Sequence, residues 1–170
     1  RDGRQLGELL HARLRLPRLA GFRLEPIDEG LQVLALRLLL LGNRGVEPER
    51  AFQILVGSIH DENVNVRYWA VEGLAYLGTE DTIAPLLAVF HDDPSPLIRE
   101  RAACSLAQSG MLSSKQRLSA VPRLLDYADD PSLDDQTRSW VFQALRDITG
   151  QSLPRDAAAW RAWHATRGGR

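Results

Sequence analysis

The stretch RYWAVEGLAYLG (67–78) recurs as RERAACSLAQSG (99–110) and as RSWVFQALRDITG (138–150). Each copy opens with an arginine and closes with a glycine. Periods of roughly 30 to 40 residues built from two helical patterns are typical of solenoids, in which each unit buries its apolar face only against its neighbours. The chain is therefore predicted to be an array of helical repeats.

Mostly apolar residues occur one position before each arginine and three, seven and ten positions after it, which is helical spacing. The residues at these positions are Val66, Ala70, Leu74 and Leu77; Ile98, Ala102, Leu106 and Ser109; and Thr137, Val141, Leu145 and Ile148. Glycine just past a helix end adopts the left-handed conformation without steric penalty, so Gly78, Gly110 and Gly150 predict three helix ends. The first helix of each unit is predicted at about 47–60, 80–90 and 115–128.

An acidic corner separates the two helices of each unit: HDEN at 60–63, HDDP at 91–94 and DDPS at 129–132. Asp and Ser suit helix N-caps, and Pro suits the first helical turn. A corner Asp can also accept hydrogen bonds from an arginine of its own or the next unit. We therefore predict a structural ladder along the stack, formed by Asp61, Arg67, Asp93, Arg99, Asp130 and Arg138.

The order Asp, a short gap, Val or Ile, Arg, then Ala, Leu and Gly, as in 61–78, resembles bacterial HEAT-like repeats of the type also found in phycobilisome lyases. The resemblance covers about 27–150. It implies an all-α, right-handed α-α superhelix, a HEAT-like solenoid of three to four helical hairpins. The segment 149–163 looks like the terminal segment that closes many such arrays.

This resemblance predicts one continuous domain with three parts. Residues 1–26 are a basic helical segment expected to cap one end, 27–150 are the repeats, and 151–170 are a cap containing Trp160 and Trp163 with a basic tail. The third unit departs from the pattern because Asp130 lies eight residues before its arginine, where the other corners have six. Gly110 to Arg138 also spans 28 residues where Gly78 to Arg99 spans 21, which indicates an insertion at about 111–117 that should lie on the surface.

Second helices usually line the concave side of such arrays. The positions one, five and nine after each arginine form a line outside the buried stripe. From these positions we predict a partner-binding surface formed by Tyr68, Glu72, Tyr76, Glu100, Gln108, Gln143 and Asp147. Its mildly acidic composition with two tyrosines suits protein contacts. The chain is thus interpreted as a non-catalytic interaction or assembly scaffold, part of a larger protein or complex, without a cofactor, that binds its partner through this face or through the basic ends. The alternative for this face is an ordinary solvated surface.

The second hypothesis is a metal-dependent or lyase-like enzyme or accessory factor. His60 and His91 each precede carboxylates at a corner, and HEAT-like deoxyhypusine hydroxylases hold a di-iron centre with His-Glu pairs. However, neighbouring helices pack about 8 to 10 Å apart, whereas imidazole ligands lie about 2 Å from a shared metal. The order is also His-Asp at a corner, and a glycine-rich phosphate loop, a nucleophile elbow and paired-cysteine spacing are missing.

Charge is distributed unevenly along the 170 residues: 1–23 carry +4, 24–153 carry −8 and 154–170 carry +3. An acidic repeat body argues against nucleic acid as the partner, because a duplex selects a basic stripe. Membrane contact is expected only through the basic N-terminal segment. The single cysteine, Cys104, excludes an internal disulfide and favours a reducing compartment such as the cytoplasm, with the periplasm and the membrane surface left open.

Overall fold

A computed structural model describes residues 48–109 and 111–167, and all of the regular structure in these residues is helical. The α-helices are α1 (Pro48–Ser58), α2 (Val64–Leu77), α3 (Ile83–Asp92), α4 (Pro96–Gln108), α5 (Ser114–Ser119), α6 (Val121–Asp129), α7 (Asp135–Thr149) and α8 (Ala157–Arg167). A 3-10 turn, Glu80–Thr82, precedes α3. The all-α solenoid prediction is confirmed. The basic segment 1–26, the first part of the repeat region (27–47), Gly110 and the tail 168–170 lie outside the described residues.

The boundaries of α2 follow from its capping residues. The side chain of Asn63 accepts a hydrogen bond from the backbone N–H of Asn65, so one free amide of the first turn is satisfied. At the other end Gly78 has φ 61° and its N–H donates to the carbonyl of Leu74, while Gly150 ends α7 in the same way with φ 69°. Both glycines therefore stop their helices as predicted.

The second helices α2, α4 and α7 lie side by side, with α4 in the middle, and each packs on its own first helix. The predicted stripe forms the core between them: Ala70, Leu74, Ile98, Leu106 and Leu145 are fully buried. Trp69 and Trp140, at equivalent positions of two units, are half-buried against this core. Stacking one pair of helices on the next thus removes the apolar stripe of each from water.

The third unit begins with two short helices, so the prediction of one helix at 115–128 is wrong. Pro122 lies in the first turn of α6, and a proline there cannot continue a preceding helix because its ring clashes with the carbonyl four residues back. Ser113 and Gln116 form a capping box at the start of α5. Gln116 also donates to the Gly78 carbonyl and Arg117 donates to the Ala107 carbonyl. The insertion therefore covers the carboxyl ends of α2 and α4.

The helix α8 lies against α6 at the end of the described array. Trp160 is fully buried and donates its indole N–H to the Pro154 carbonyl at 2.9 Å, while its ring meets Trp163 edge to face at 5.8 Å. Arg161 donates to Asp129 at 2.6 Å and to the Leu125 carbonyl at 3.0 Å. None of the helices in 48–109 and 111–167 combines the length and hydropathy required to cross a bilayer.

Candidate partner-binding surface

The exposed sides of α4 and α7 meet in a chain of polar side chains. Gln108 of α4 donates to Asp147 of α7 at 2.9 Å, and the other oxygen of Asp147 accepts from Gln143 at 2.8 Å. Gln143 in turn accepts from Arg146 at 3.0 Å. Gln108, Gln143 and Asp147 are exposed, so these groups are presented to solvent in a defined orientation across two repeats.

Three further residues of the predicted line, on α4 and α2, keep part of their exposure to solvent. Glu100 and Cys104 of α4 and Tyr76 of α2 are half-buried. Burial raises the pKa of the Cys104 thiol. The charge of Arg101 opposes this effect, and the neighbouring Glu100 and Asp147 carboxylates add to the increase in pKa. The thiol therefore stays protonated at neutral pH and has no nucleophilic activation. We define the second-helix surface as the five predicted residues that keep solvent access: Tyr76, Glu100, Gln108, Gln143 and Asp147.

Tyr68 and Glu72 belong to the interior, so the prediction that they lie on an open concave face is wrong for this pair. Tyr68 is 7% exposed and Glu72 is 2% exposed. Glu72 forms an ion pair with Arg101 of the next repeat, and the Arg101 guanidinium lies over the Tyr68 ring at 5.9 Å. Burial raises the pKa of Tyr68, and Arg101 opposes that effect. Close packing of α4 on α2 is the physical reason for this burial.

The sequence held a signal for this buried ion pair. Arg101 lies two positions after its repeat arginine, where the other units have Trp69 and Trp140. Those tryptophans pack at the edge of the core, so a guanidinium in the same place needs a carboxylate to offset its desolvation. Glu72, on the preceding repeat, supplies it.

The ladder contact between the first two described repeats is a bidentate ion pair. Arg67 donates from Nε to Asp93 at 2.7 Å and from Nη2 to the other oxygen of the same carboxylate at 3.1 Å. Its Nη1 donates to the backbone carbonyls of Asp61 and Glu62. One guanidinium therefore joins its own corner to that of the next repeat.

The following ladder contact has a different acceptor from the predicted one. Arg99 donates to Asp134 at 2.7 Å, to the Thr137 hydroxyl at 3.0 Å and to the carbonyl of Asp93 at 2.8 Å. The longer third corner places Asp134, the N-cap of α7, where Asp130 was expected. Hydrogen bonds from Thr137 and the charge of Arg99 lower the pKa of Asp134. The spacing Asp134-x-x-Thr137 was the signal for this cap.

The remaining ladder residues make local contacts. Arg138 donates to the carbonyls of Asp130 and Leu133, and Asp61 accepts from the N–H of Asn63. The Asp130 carboxylate accepts from Ser132 and faces His91, which lies at the preceding corner. The described part of the ladder therefore consists of two cross-repeat steps, Arg67 to Asp93 and Arg99 to Asp134.

Residues 28–107 match a family model described as HEAT repeats. This segment of the chain therefore consists of HEAT-like repeats. The matched segment includes α1 to α3 and ends in the last turn of α4, and the same order of first and second helices continues in the third unit. A search of curated proteins found no match. HEAT repeats generally mediate protein–protein contacts or act as scaffolds. The bacterial, lyase-type assignment within HEAT proteins stays a prediction.

A cavity of about 480 Å³ lies between the corners of the first two described HEAT units. Its polar lining is His60, Asp61, Glu62, Arg67, Asp92 and Asp93. His91 does not line this cavity, because its ring faces Asp130 at the next corner. Within 48–109 and 111–167, no group of three or more His, Cys, Asp or Glu side chains is arranged to hold a metal ion. The two His-Asp corners therefore form no joint donor set in these residues.

Proposed function

We propose that this HEAT array is a non-catalytic scaffold that captures a protein partner on the second-helix surface. The observation that carries the proposal is the hydrogen bond between Gln108 and Asp147, which joins exposed polar side chains of two consecutive repeats into one surface. Glu72 and Arg67, by contrast, are polar side chains of the second helices that are buried and engaged between repeats. The exposed row spans two repeats and keeps its solvent access, so it is available for recognition.

The chemistry of the surface indicates the kind of partner. Glu100 and Asp147 contribute two carboxylates, and the nearby Arg146 is engaged by Gln143. Gln108 and Gln143 supply amide groups that can exchange their contacts for hydrogen bonds to a partner. Tyr76 adds a half-buried aromatic side chain, a residue type enriched among energetically dominant interface positions. A partner segment with lysine or arginine side chains and hydrogen-bonding groups is complementary to this set.

The underlying framework favours binding without rearrangement. The bidentate Arg67–Asp93 contact and the three bonds of Arg99 tie consecutive repeats together at their corners. A preorganised surface loses less conformational entropy on association than a mobile one. We therefore expect capture by a largely rigid array.

The test is capture of proteins from the native source by the wild-type chain and by two double variants. Glu100→Lys with Asp147→Lys reverses both charges of the surface. Glu80→Lys with Asp81→Lys makes the same change in net charge at two exposed positions of the 3-10 turn, which are not part of the second-helix surface. Glu72 is unsuitable for reversal because its carboxylate is buried against Arg101.

The partner identified with the wild-type chain is then titrated against all three proteins by calorimetry. We expect the surface variant to bind at least about tenfold more weakly, which corresponds to about 1.4 kcal/mol, and the control variant to bind as the wild type does. Circular dichroism checks that all three keep the same helical content. Equal affinities of the three proteins would refute the assignment of binding to this surface.

A further inference from the structure

His91 lies between carboxylates of two consecutive repeats. Its Nδ1 is 2.5 Å from an oxygen of Asp92, at the end of α3, and its Nε2 is 3.0 Å from an oxygen of Asp130, at the corner after α6. The imidazole also packs on the Tyr127 ring of α6, with ring centres 4.6 Å apart. The side chain is 22% exposed, so this contact lies at the edge of the interface between the second and third units.

The geometry requires a particular protonation state. An ionised carboxylate can only accept hydrogen bonds, and a neutral imidazole carries a single N–H. Both contacts are therefore hydrogen bonds only when the ring is an imidazolium with two N–H groups. In the neutral ring, one nitrogen lone pair faces a carboxylate oxygen and that contact becomes repulsive.

Each element that contacts His91 carries a charged group near the ring. Asp92 lies on α3, Asp130 follows α6, and Arg123 of α6 lies over the Tyr127 ring at 5.5 Å. Burial lowers the pKa of His91, but the hydrogen bonds and charges of Asp92 and Asp130 outweigh it, and the net pKa is raised above 6.5. Hydrogen bonds from Ser132 and His91 lower the pKa of Asp130 to about 2, so this carboxylate is ionised over the physiological range.

We propose that His91 is a proton-dependent clasp between the second and third HEAT units, closed on Asp92 and Asp130 when protonated and released from one of them when neutral. The preceding repeat provides an internal comparison. His60 occupies the equivalent corner position, but it is exposed and makes no hydrogen bond to a described residue. The clasp is therefore a property of this one junction rather than of the repeated pattern.

The clasp joins the corner from which the chain enters α7, and α7 carries Gln143 and Asp147 of the second-helix surface. A change in this junction would alter the position of α7 relative to α4. Any effect of pH on partner capture through this route rests on the proposed function. The clasp itself can be tested on the free protein, so its failure and that of the binding proposal are distinguishable.

The experiment is a pH titration of the histidine side chains of the full chain by NMR, with His60→Gln used to assign the His60 signal. We expect the His91 midpoint to lie above 6.5, and Asp130→Asn to lower it by about half a pH unit or more. The backbone amides of 130–134 should shift with the same midpoint as His91. Asp92→Asn should also lower the midpoint, and it provides a second variant should Asp130→Asn fail to fold.

The proposal would be overturned if the titration midpoint of His91 lay at or below pH 6.5. It would also be overturned if the midpoint stayed the same in folded Asp130→Asn and Asp92→Asn variants. Amides of 130–134 that do not titrate with His91 would overturn it as well, because the ring would then be protonated without acting across the junction.

Discussion

Replacing Asp93 by Ala tests whether the ladder stabilises the array. The Asp93 side chain is only 3% exposed, and it accepts both Arg67 hydrogen bonds and one from the backbone N–H of Ser95. Alanine removes all three acceptor contacts and leaves the Arg67 guanidinium, 11% exposed, without its carboxylate. The loss is therefore mostly the cost of an uncompensated buried charge.

The expected magnitude follows from these contacts. Removing one partner of a buried ion pair costs about 3–5 kcal/mol. For a chain of this length each kcal/mol lowers Tm by roughly 2–4 °C, so a loss of about 4 kcal/mol lowers Tm by roughly 8–16 °C. Asp93→Asn keeps an acceptor for Ser95 and a similar shape but loses the negative charge. Its cost should be about 1.5–3 kcal/mol, the range for hydrogen bonds to charged groups.

Urea denaturation followed by circular dichroism measures the free energy of unfolding of each variant. Asp61→Ala is the matched control, because Asp61 is the equivalent residue of the preceding repeat but is exposed and accepts only from Asn63. We expect it to cost about 1 kcal/mol. A double-mutant cycle with Arg67→Ala then isolates the pairwise contribution. If Asp93→Ala costs no more than Asp61→Ala, the ladder is not a stabilising feature of this protein.

Three further predictions address the helix ends, the terminal helix and the clasp. Gly78 and Gly150 both have left-handed backbones, in which an alanine costs about 1–2 kcal/mol of stability. Gly78→Ala should destabilise the protein more than Gly150→Ala, because only at position 78 does the new Cβ meet Met111, at 2.7 Å. Thermal unfolding of the two variants tests this difference. Trp160→Ala should lower the free energy of unfolding, measured by urea denaturation, by about 3–5 kcal/mol, because the side chain is fully buried. The control in the same helix is Ala158→Gly at an exposed position, which should cost about 1 kcal/mol. His91→Gln should lower the free energy of unfolding at pH 6 and have a smaller effect at pH 9. The pKa of His91 is raised in the folded state, so its protonation stabilises the fold below pH 6.5, and this contribution is lost as the pH rises through the folded-state pKa. An equal effect at both pH values would contradict this.

Local patterns in the sequence were enough to predict the helical hairpins. The stripe from Val66 to Leu74 requires only helical spacing, and Gly78 and Gly150 end their helices because few other residues tolerate a positive φ. These properties depend on residues within a few positions of each other. The split between α5 and α6 was also present in the sequence as Pro122, although the prediction of a single helix overlooked it.

The contacts between repeats could be predicted only in part. Arg67 meets Asp93 as expected, because two units with the same corner length place these groups in register. Arg99 instead meets Asp134, since the longer third corner changes which carboxylate lies within reach. The same limit applies to the candidate surface: Tyr68 and Gln108 occupy the same predicted line, yet one is buried and the other exposed.

The sequence by itself determined that this protein is an array of helical hairpins, where α2 and α7 end and which stripe the second helices bury. The tertiary structure alone decided that Tyr68 is buried, that Asp147 joins α7 to α4 and that His91 lies between two carboxylates. The physical reason is the separation along the chain between the residues that interact. Helix formation and capping depend on neighbours along the chain, whereas burial and charge pairing between repeats depend on how closely two units stack and on the lengths of the corners between them.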